Sequence, residues 1–508
     1  MSRIVALAAA LALAGVGVYR NTWAVGGSDS SCYALMADAF AHGRLQPSSK
    51  LAVDAPWPDA PRTLAPAGFI PSAVRAGASS PVCMAGMSVL MAPLVAVGGH
   101  DALFLFTPAA AGVLVWFASV LARRLAGGMA GAVGAVLVAC SPTVLFQAVQ
   151  PMNDIVTAAL WVAALVGATS DRRDRALTAG ALTGVAILVR PNLALAGLVV
   201  AGMVIRRSGS LSLPTGGSTP RAVVTFAAGA LPGAALLLWL NHALYGSPFS
   251  LGYGNAGPLF SAAHVSVNTA HYLRAVLDTQ TVFPFVALIA PFVFAGVERQ
   301  TAWGMLGMSA AVVASYLFYQ PFPEWWYLRF LLPAVVLLVT LASAVCVRAG
   351  RRARMGGVVA MATVLLGVTM LRTPGAREAL ELQRLEGRFR DTGLLVRSRL
   401  PDRAVLITVW QSGTVQFHAG REALLWDSLD PGWLDRSVAW LTAQGRTPYI
   451  LVERREEADF RARFTAHSAL GALDWPPRFD VRRQVRIFDP ADRARYLAGE
   501  AYPTENIR

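Results

Sequence analysis

Charge is scarce in this sequence. Only 15% of its 508 residues are charged, whereas 55% are hydrophobic and the mean hydropathy is +0.49. A chain this apolar does not form a soluble globule, so the composition excludes that class and predicts an integral membrane protein. The length allows many membrane spans together with one soluble domain.

Lysine is almost absent. Lys50 is the only lysine, so nearly all the positive charge behind the formal net charge of +14 is arginine. These arginines punctuate hydrophobic runs, where positive charge marks the cytoplasmic ends of spans. Nucleic-acid binding, which such a charge would indicate in a soluble protein, is therefore not predicted.

Three further signals are missing from the sequence. It has no Gly-rich phosphate loop, so no nucleotide site is predicted. It has no internal repeat at a fixed period. No small-x-small cleavage site clearly follows the apolar run from Ile4 to Tyr19, so we expect that run to be a retained first helix.

The arginine clusters allow the membrane crossings to be counted, because about twenty apolar residues cross the hydrocarbon core. Three apolar runs separate Arg3 from Arg123-Arg124, and one of them must not cross if both clusters are cytoplasmic. The run from Val82 to Val97 is short and interrupted by Met, Gly and Pro, so we expect it to lie in the outer interface. Residues 20–100 then form a large first outer loop. The clusters are at Arg3, Arg123-Arg124, Arg172-Arg173-Arg175, Arg206-Arg207 with Arg221, Arg299, and Arg348 to Arg354.

The same count, continued along the chain, predicts about eleven crossings, with the N-terminus cytoplasmic and the C-terminus extracytoplasmic. One helix from Ala176 to Ile205 would be about 45 Å long. The run is therefore predicted to break at Arg190-Pro191 and to cross twice, with Arg190 at an outward-facing tip. Asp154 lies in the outer turn of the preceding hairpin, so Asp29 and Asp154 are predicted to share a side of the membrane.

After Arg372 the composition becomes mixed and charged. We therefore divide the chain into a transmembrane module, residues 1–371, and a soluble extracytoplasmic α/β domain, residues 372–508. The strand-like runs 404–409 and 449–452 alternate with the amphipathic stretches 434–441 and 458–464. This β-α-β-α order predicts a parallel sheet. The Gly-Ser-Pro patch at 208–220 is predicted to be a cytoplasmic loop.

Asp29 lies at the entrance to the first outer loop. It suits a general base for an acceptor hydroxyl or a metal ligand. The alternative is a helix N-cap formed by Ser28 or Asp29. Tyr33, four residues later, would share its helical face, whereas Asp38 would point to the opposite face and is not its partner carboxylate.

Asp154 opens an apolar span, where a charge costs about 2.5–3.5 kcal/mol or more unless it lines a cavity or the interface. A cap formed by Asn153 or Asp154 is the alternative. Arg190, within an apolar hairpin, needs an anion or a cluster of carbonyls unless it snorkels to the interface. Arg329 follows an aromatic segment typical of an interfacial belt and suits a lipid phosphate.

The histidines and cysteines give weaker indications. His264 and His271 are seven residues apart in a predicted outer loop, which makes them only weak candidates for metal ligands. Both Cys32 and Cys83 fall in the first outer loop, where a disulfide would be compatible with an oxidising compartment, but spacing does not decide whether it forms. Cys140 and Cys346 are interpreted as buried membrane thiols.

A series of motifs over residues 1–350 resembles the GT-C superfamily of polyprenyl-phosphate-sugar-dependent glycosyltransferases, in the branch of protein mannosyltransferases and lipid A aminoarabinose transferases. Each motif is weak alone, and their order carries the resemblance. They are Asp29-x-x-x-Tyr33 with Gly43, Ala122-Arg123-Arg124-Leu125, Ser141-Pro142 with Asp154, Gly180-x-x-x-Gly184 leading to Arg190-Pro191, Tyr245-Gly246-Ser247-Pro248-Phe249 with Gly252-Tyr253, and Tyr327-Leu328-Arg329-Phe330-Leu331-Leu332-Pro333.

The resemblance implies a multi-pass enzyme of the bacterial inner membrane. It would transfer a sugar, with inversion, from a polyprenyl-phosphate donor to a glycan, lipid or protein acceptor. Asp29 would be the catalytic carboxylate, Asp154 a second carboxylate near the site, and Arg329 or Arg190 would hold the donor phosphate. Tyr33, Tyr253 and Glu324 are the candidates for substrate binding.

The resemblance leaves the cofactor open. Many relatives carry two adjacent acids in the first loop, whereas Ser30 follows Asp29 here. A divalent cation, Mg²⁺ or Mn²⁺, held by Asp29 and Asp154 is therefore an open alternative.

Two other functions remain open from the sequence. A transporter or flippase predicts internal symmetry, which the sequence does not display. A non-catalytic scaffold for cell-envelope assembly would agree with the missing second acid.

Overall fold

The computed structural model describes residues 1–170, 172, 174–209, 218–255 and 257–507. Packing divides the chain into two compact units. The helix unit comprises Met1–Asn21, Phe104–Trp239 and Asn255–Leu382, and the sheet unit comprises Thr22–Leu103, Leu240–Gly254 and Gln383–Arg508. Arg173 and most of the predicted loop 208–220 lie outside the described residues.

Helices dominate the described chain. The α-helices are α1 (Ser2–Tyr19), α2 (Gly27–Ala41), α3 (Leu51–Asp54), α4 (Ala60–Thr63), α5 (Gly86–Ala102), α6 (Phe106–Ala139), α7 (Pro142–Ala148), α8 (Asn153–Ala168), α9 (Arg175–Val189), α10 (Ala196–Gly209), α11 (Ser218–Tyr245), α12 (His264–Gln280), α13 (Ala290–Val293), α14 (Gly296–Leu317), α15 (Leu332–Arg352), α16 (Gly356–Leu371), α17 (Pro374–Arg399), α18 (Ser412–Thr414), α19 (Leu434–Ala443), α20 (Glu457–Phe464) and α21 (Pro490–Leu497).

Shorter helical turns and strands complete the chain. The 3₁₀ turns are Leu103–Leu105, Pro191–Leu193, Gly257–Leu259, Phe283–Ile289, Trp325–Leu331 and Pro431–Trp433, and Val415–Ala419 is a π-helical turn. The strands are β1 (Phe69–Pro71), β2 (Ser79–Pro81), β3 (Ala404–Ile407), β4 (Glu422–Leu424), β5 (Thr447–Glu453), β6 (Phe479–Val481), β7 (Val485–Phe488) and β8 (Glu505–Ile507).

The described helices include several that are long and apolar enough to cross a membrane. Four segments meet this condition, and three bent helix pairs raise the number to seven if each pair is one span. The eleven crossings predicted from the arginine clusters exceed that number and stay a prediction. The four segments are Ser2–Tyr19, Gly86–Ala139, Pro220–Tyr245 and Trp325–Arg352, and the pairs are α7 with α8, α12 with Phe283–Val293, and α16 with α17.

Apolar helices differ in how much protein surrounds them. The most apolar stretch of Trp325–Arg352 is 89% buried, whereas that of Pro220–Tyr245 is only 11% buried. An apolar helix that the protein leaves uncovered needs an apolar solvent, which a bilayer supplies. The predicted polytopic helical membrane fold is confirmed.

Two helix breaks have local causes in the sequence. α6 is interrupted at Ala126–Gly127, where Gly127 has φ of 80°, a conformation that glycine adopts without steric cost. α9 ends at Val189, and Arg190 leaves the helix with φ −146° and ψ 83° because the residue before a proline disfavours the helical conformation. The predicted break at Arg190-Pro191 is confirmed.

The C-terminal region contains the predicted α/β fold, with a six-stranded sheet in the order β4-β3-β5-β7-β6-β8. β3 is parallel to both β4 and β5, as the β-α-β rhythm predicts. The sheet also contains antiparallel pairs that were not predicted, because β7 runs antiparallel to β5 and to β6. The sheet is therefore mixed.

The first-loop segment contributes to the core of the sheet unit. One face of the sheet packs with Leu51, Trp57 and Leu64, which lie far away in the sequence. The other face packs against the end of α17, through Leu395 and Val396. The two packing units therefore differ from the two domains that the change in composition at residues 371/372 predicted. The side of the membrane predicted for each domain stays a prediction.

Candidate active site

A buried ion-pair cluster lies in the helix unit, at the start of α8. Asp154 is in the first turn of this helix, whose N-cap is Met152 and has no side-chain capping bond. The alternative of a cap by Asn153 or Asp154 is therefore wrong. The Asp154 side chain is only 1% exposed, and its two oxygens face Arg190 Nη1 and Arg329 Nη1.

Arg190 reaches Asp154 because the chain leaves α9 at that residue. Its guanidinium hydrogen-bonds Asp154 Oδ1 and lies over the rings of Tyr316 and Phe330, 5.4 Å from each centroid. Only 8% of Arg190 is exposed, so the alternative of snorkelling to the interface is wrong. Asn192, two residues later, donates to the Tyr316 hydroxyl at 2.8 Å and so ties the same turn to α14.

Arg329 approaches the same carboxylate more loosely. It lies in the 3₁₀ turn Trp325–Leu331, with its guanidinium 5.3 Å from the Tyr327 ring centroid and 5.2 Å from that of Phe330. Its Nη1 is 3.9 Å from Asp154 Oδ2. Two permanently charged guanidinium groups thus face the same buried carboxylate.

The other predicted residues of the helix unit are arranged differently. Glu324 immediately precedes the Arg329 turn, and its carbonyl oxygen is 3.3 Å from His271 Nε2. His264 Nδ1 is 3.2 Å from the Phe318 carbonyl oxygen. Each histidine therefore contacts a backbone carbonyl. Within the residues that the structure describes, no group of three or more His, Cys, Asp or Glu side chains is arranged to hold a metal ion.

Asp29 lies in the sheet unit, in the first turn of α2. The N-cap of this helix is Gly26 and has no side-chain capping bond. The alternative of a cap by Ser28 or Asp29 is therefore wrong. Asp29 is half-buried, and the positive end of the helix dipole favours a carboxylate at this position.

Three glycines allow other segments of the sheet unit to pack closely against the start of α2. A Cβ atom on Gly26 would lie 2.4 Å from the Phe389 ring, and one on Gly68 would lie 2.3 Å from the Ser28 carbonyl oxygen. A Cβ atom on Gly413 would lie 1.9 Å from Ser31 Oγ. Segments remote in sequence therefore press directly on the turn that carries Asp29.

Hydrogen bonds to Val25 fix the chain just before α2. The Thr414 hydroxyl donates to the Val25 carbonyl. Burial lowers the pKa of His418 to about 4, so the ring is neutral near pH 7. A neutral ring can accept, and the Val25 N–H donates to His418 Nε2 at 3.3 Å.

The residue pair Cys32 and Cys83, which the sequence left undecided, forms a disulfide. It joins α2 to the chain between β2 and α5. Tyr33, the next residue, is buried, and its carbonyl accepts a hydrogen bond from the Ser88 hydroxyl at 2.9 Å. Tyr33 thus lies within the packed interior of the sheet unit, and its role as a substrate ligand stays a prediction.

The overall architecture has counterparts among solved structures. ArnT from Cupriavidus metallidurans, bound to undecaprenyl phosphate, is 15% identical with a TM-score of 0.55 over 91% of this chain and 94% of that protein. The oligosaccharyltransferase AglB from Archaeoglobus fulgidus, in complex with an inhibitory peptide and a dolichol-phosphate, is 12% identical with a TM-score of 0.52, over 92% of this chain and 71% of AglB. The chain has the GT-C fold.

No protein-family model matches the chain, and no curated protein matches it significantly. At such low identity, the likeness to solved structures shows the GT-C fold and leaves residue roles open. A further oligosaccharyltransferase structure from Archaeoglobus fulgidus, 13% identical with a TM-score of 0.50 over 90% of this chain and 69% of that one, is in complex with Zn and sulfate.

Within this GT-C fold, the segment after α11 packs against the end of β2. The Tyr245 hydroxyl donates to the Pro81 carbonyl at 2.7 Å. A Cβ atom on Gly252 would lie 2.1 Å from the same carbonyl oxygen, so glycine is required there. Tyr253, which follows, remains 48% exposed and accessible to a ligand. Its predicted role in substrate binding stays untested.

The sequence did not identify Tyr316 and Asn192, which form the surroundings of Arg190. Asn192 directly follows the Arg190-Pro191 break, and this polar residue in an apolar hairpin was the available signal. Tyr316 had none, because it lies in an ordinary apolar helix. Asp29 belongs to the sheet unit and Asp154 to the helix unit, and their predicted proximity stays a prediction.

Proposed function

We propose that this chain is a membrane glycosyltransferase that transfers a sugar from a polyprenyl-phosphate donor to an extracytoplasmic hydroxyl group, with inversion. The observation that carries the proposal is the buried cluster of Asp154, Arg190 and Arg329 within a GT-C fold. The relatives bound to undecaprenyl phosphate and dolichol-phosphate support a lipid phosphate as the ligand class.

The geometry favours different roles for the two arginines. Arg190 contacts Asp154 directly and is enclosed by two rings, so it serves as the fixed part of the cluster. Arg329 lies farther from this carboxylate, at 3.9 Å, and its fork of N–H donors suits a phosphate. Asp154 then holds both guanidinium groups in position and acts on the donor phosphate only through them.

Asp29 is the proposed general base. Its carboxylate accepts the proton from the acceptor hydroxyl while the hydroxyl oxygen attacks the anomeric carbon. The bond from the anomeric carbon to the phosphate oxygen breaks, and the phosphate leaves with the electron pair. Arg329 stabilises the developing negative charge on the leaving phosphate, and attack opposite the leaving group inverts the configuration.

The residues present do not fit a tightly held divalent cation. The Asp154 carboxylate faces two guanidinium cations, which would repel a metal ion. Asp29 has Ser30 beside it and supplies a single carboxylate, whereas magnesium and calcium sites use several oxygen ligands. The mechanism above therefore contains no metal step, and we expect turnover to be unchanged by a chelator such as EDTA.

Donor turnover tests the proposal. The purified chain, in lipid vesicles that contain a membrane extract as a source of acceptors, is offered a panel of polyprenyl-phosphate sugars, and released polyprenyl phosphate is measured. We expect Asp29→Asn to lower turnover by about 10²- to 10⁴-fold, because it removes the base. Arg329→Gln is expected to raise the donor KM and lower kcat.

Two control variants have matched chemistry. Asp59→Asn removes an exposed carboxylate of the same unit as Asp29, and Arg274→Gln removes an exposed arginine of the same unit as Arg329. Both should retain turnover. Release that survives Asp29→Asn would remove the proposed base, and a chain that never releases polyprenyl phosphate from any donor would favour the scaffold or transporter functions.

A further inference from the structure

A polar cavity of about 530 Å³ lies within the sheet unit. Its volume falls in the range of small-molecule sites, about 300–1,000 Å³. Asp38 of α2 contributes to its wall. Because Asp38 is nine residues after Asp29, it lies about 13 Å further along the helix and on the opposite face. The cavity is therefore separate from the proposed catalytic carboxylate.

Asp38 organises one side of this cavity. Its carboxylate accepts hydrogen bonds from Arg44 Nη2 at 3.1 Å and His100 Nε2 at 2.9 Å, and His42 Nδ1 lies 3.3 Å away. The hydrogen bond from His100 lowers the pKa of Asp38. This carboxylate is engaged by Arg44 and by two histidine ring nitrogens, and its effect is to fix Arg44 and His100 at the rim.

A flat ring surface forms part of the lining. The His100 ring stacks on Phe417, with centroids 4.4 Å apart and planes 23° from parallel. Phe417 is 2% exposed and so gives rigid support, whereas the His100 side chain is 45% exposed. Ser48, Ser49 and Ser79 also line the cavity. A supported planar ring together with these serines suits a ligand with both an apolar face and many hydroxyl groups.

Arg397 supplies a cation that no protein anion compensates. It is an exposed residue of α17 on the cavity wall, and it makes no ion pair with any residue that the structure describes. The other charges on the wall are paired. Arg421 contacts Asp402 at 2.7 Å, and Glu422 contacts Arg446 at 3.4 Å. The cavity thus has one unused positive charge.

We propose that this cavity binds an anionic sugar, a carbohydrate that carries a carboxylate or a phosphate. Arg397 holds the charged group, and the sugar ring packs on the stacked rings of His100 and Phe417. Arg44 and the serine hydroxyls of the lining meet the sugar hydroxyls. None of these residues belongs to the proposed catalytic set, so the site is independent of donor turnover.

Binding to the full chain in lipid nanodiscs tests this site. Four probes are titrated by calorimetry: glucuronate, glucose 6-phosphate, glucose and inorganic phosphate. We expect at least one of the two anionic sugars to bind roughly ten-fold or more tightly than glucose and than inorganic phosphate, because it alone makes both sets of contacts. Preference between the two anionic sugars identifies the charged group as carboxylate or phosphate.

Single substitutions test which residues contribute to binding of the anionic sugar. Arg397→Gln should weaken binding of the preferred anionic sugar by roughly ten-fold or more, whereas Arg399→Gln, two residues along the same helix and paired with Glu505 outside the cavity, should not. His100→Ala should weaken binding of both anionic sugars because it removes the stacking surface, and binding is compared at a temperature below the melting transition of each variant. Asp29→Asn should bind normally even though it loses turnover.

Several results would overturn the proposal. They are the absence of binding for both anionic sugars, equal binding of inorganic phosphate, and binding that Arg397→Gln leaves unchanged. Because binding is measured in Asp29→Asn as well, failure of this site and failure of the proposed enzyme function give different results.

Discussion

The Asp154 carboxylate faces two guanidinium groups in a buried part of the helix unit. Removing one partner of a buried ion pair is more damaging than replacing the whole pair, because the remaining charge is left without compensation. The two sides of this cluster are therefore not equivalent. Loss of Arg329 leaves the Arg190–Asp154 pair intact, whereas loss of the Asp154 charge removes the carboxylate that both guanidinium groups face.

We expect Asp154→Asn to lower the free energy of unfolding by about 3–5 kcal/mol. Arg329→Gln should cost much less, although we expect it to impair donor binding. Thermal unfolding in detergent, followed by tryptophan fluorescence, measures both. Asp278→Asn, which removes an exposed carboxylate of the same unit, is the control. Equal melting temperatures for Asp154→Asn and the native chain would mean that the two arginines do not depend on this carboxylate.

Glu456 makes the stability of the sheet unit depend on pH. The residue is 5% exposed, and burial raises its pKa from 4.5 to about 7. The folded chain therefore holds this proton up to about pH 7, whereas the unfolded chain releases it near pH 4.5. Since the folded state binds more protons in this window, stability falls as the pH rises from about 4.5 to about 7.

We expect Glu456→Gln to remove this dependence. Above pH 7 the native chain carries the whole cost of the buried charge, roughly 3 kcal/mol, so the variant should melt at a higher temperature than the native chain at pH 8 and similarly at pH 4.5. Glu500→Gln, which changes an exposed glutamate of the same unit, should follow the native pH profile. If the melting temperature of Glu456→Gln changed with pH in parallel with that of the native chain, Glu456 would not be the group responsible for the pH dependence.

Among the helices, α9 and α11 show how small residues determine packing. A Cβ atom on Gly180 would lie 2.1 Å from the Phe226 carbonyl oxygen, and one on Gly184 would lie 2.5 Å from that of Ala230. Gly229 and Gly233 make the reciprocal approach from α11. Helices in lipid have little hydrophobic drive to associate, so this close backbone contact supplies the packing energy.

Gly184→Ala should therefore destabilise the helix unit by about 1–3 kcal/mol, the usual cost of overpacking. The matched control is Gly202→Ala in α10, where no described atom lies within 4 Å of an added Cβ atom. That change should be neutral or stabilising by up to about 1 kcal/mol, because alanine is the better helix former. Melting temperatures of the two variants in detergent decide the point. Equal melting temperatures would mean that α9 can move away from α11 at little cost.

The elements were predictable where the signal is local. The breaks at Gly127 and Arg190 follow from backbone preferences of glycine and proline. Gly180-x-x-x-Gly184 was noted only as a motif of the family resemblance, and the packing face that it forms on α9 was not predicted. Its partner, α11, was not predictable, because spacing defines a face without naming what packs on it. The antiparallel hairpin of β6 and β7 was missed because its turn uses Arg482 and Arg483, with φ of 51° and 55°, in place of the usual Asn-Gly signal.

At the scale of the whole molecule, the contacts that composition does not encode are those between distant segments. Leu51 and Trp57 of the first-loop segment belong to the same core as Ile407 and Ile450 of the C-terminal sheet. Hydropathy assigns the first loop to the outer face but carries no information on its partner. Asp154 and Arg190 were predictable as charges in apolar segments that need partners, and Arg329 as a candidate phosphate ligand, whereas the pairing of all three required the fold.

The side of the membrane on which the chain ends follows from parity. Seven spans, like the eleven predicted from the arginine clusters, put the two termini on opposite sides, whereas four put them on the same side.

The proposed reaction needs the sheet unit, which carries Asp29 and ends the chain, outside the cytoplasm. We therefore expect a tag after Arg508 to be digested by protease in intact spheroplasts. A tag before Met1 should be digested only after lysis, and so should a tag inserted in the predicted cytoplasmic loop 208–220, which serves as the internal control. Protection of both terminal tags would mean an even number of crossings and a cytoplasmic Asp29, and the acceptor would then have to be a cytoplasmic molecule.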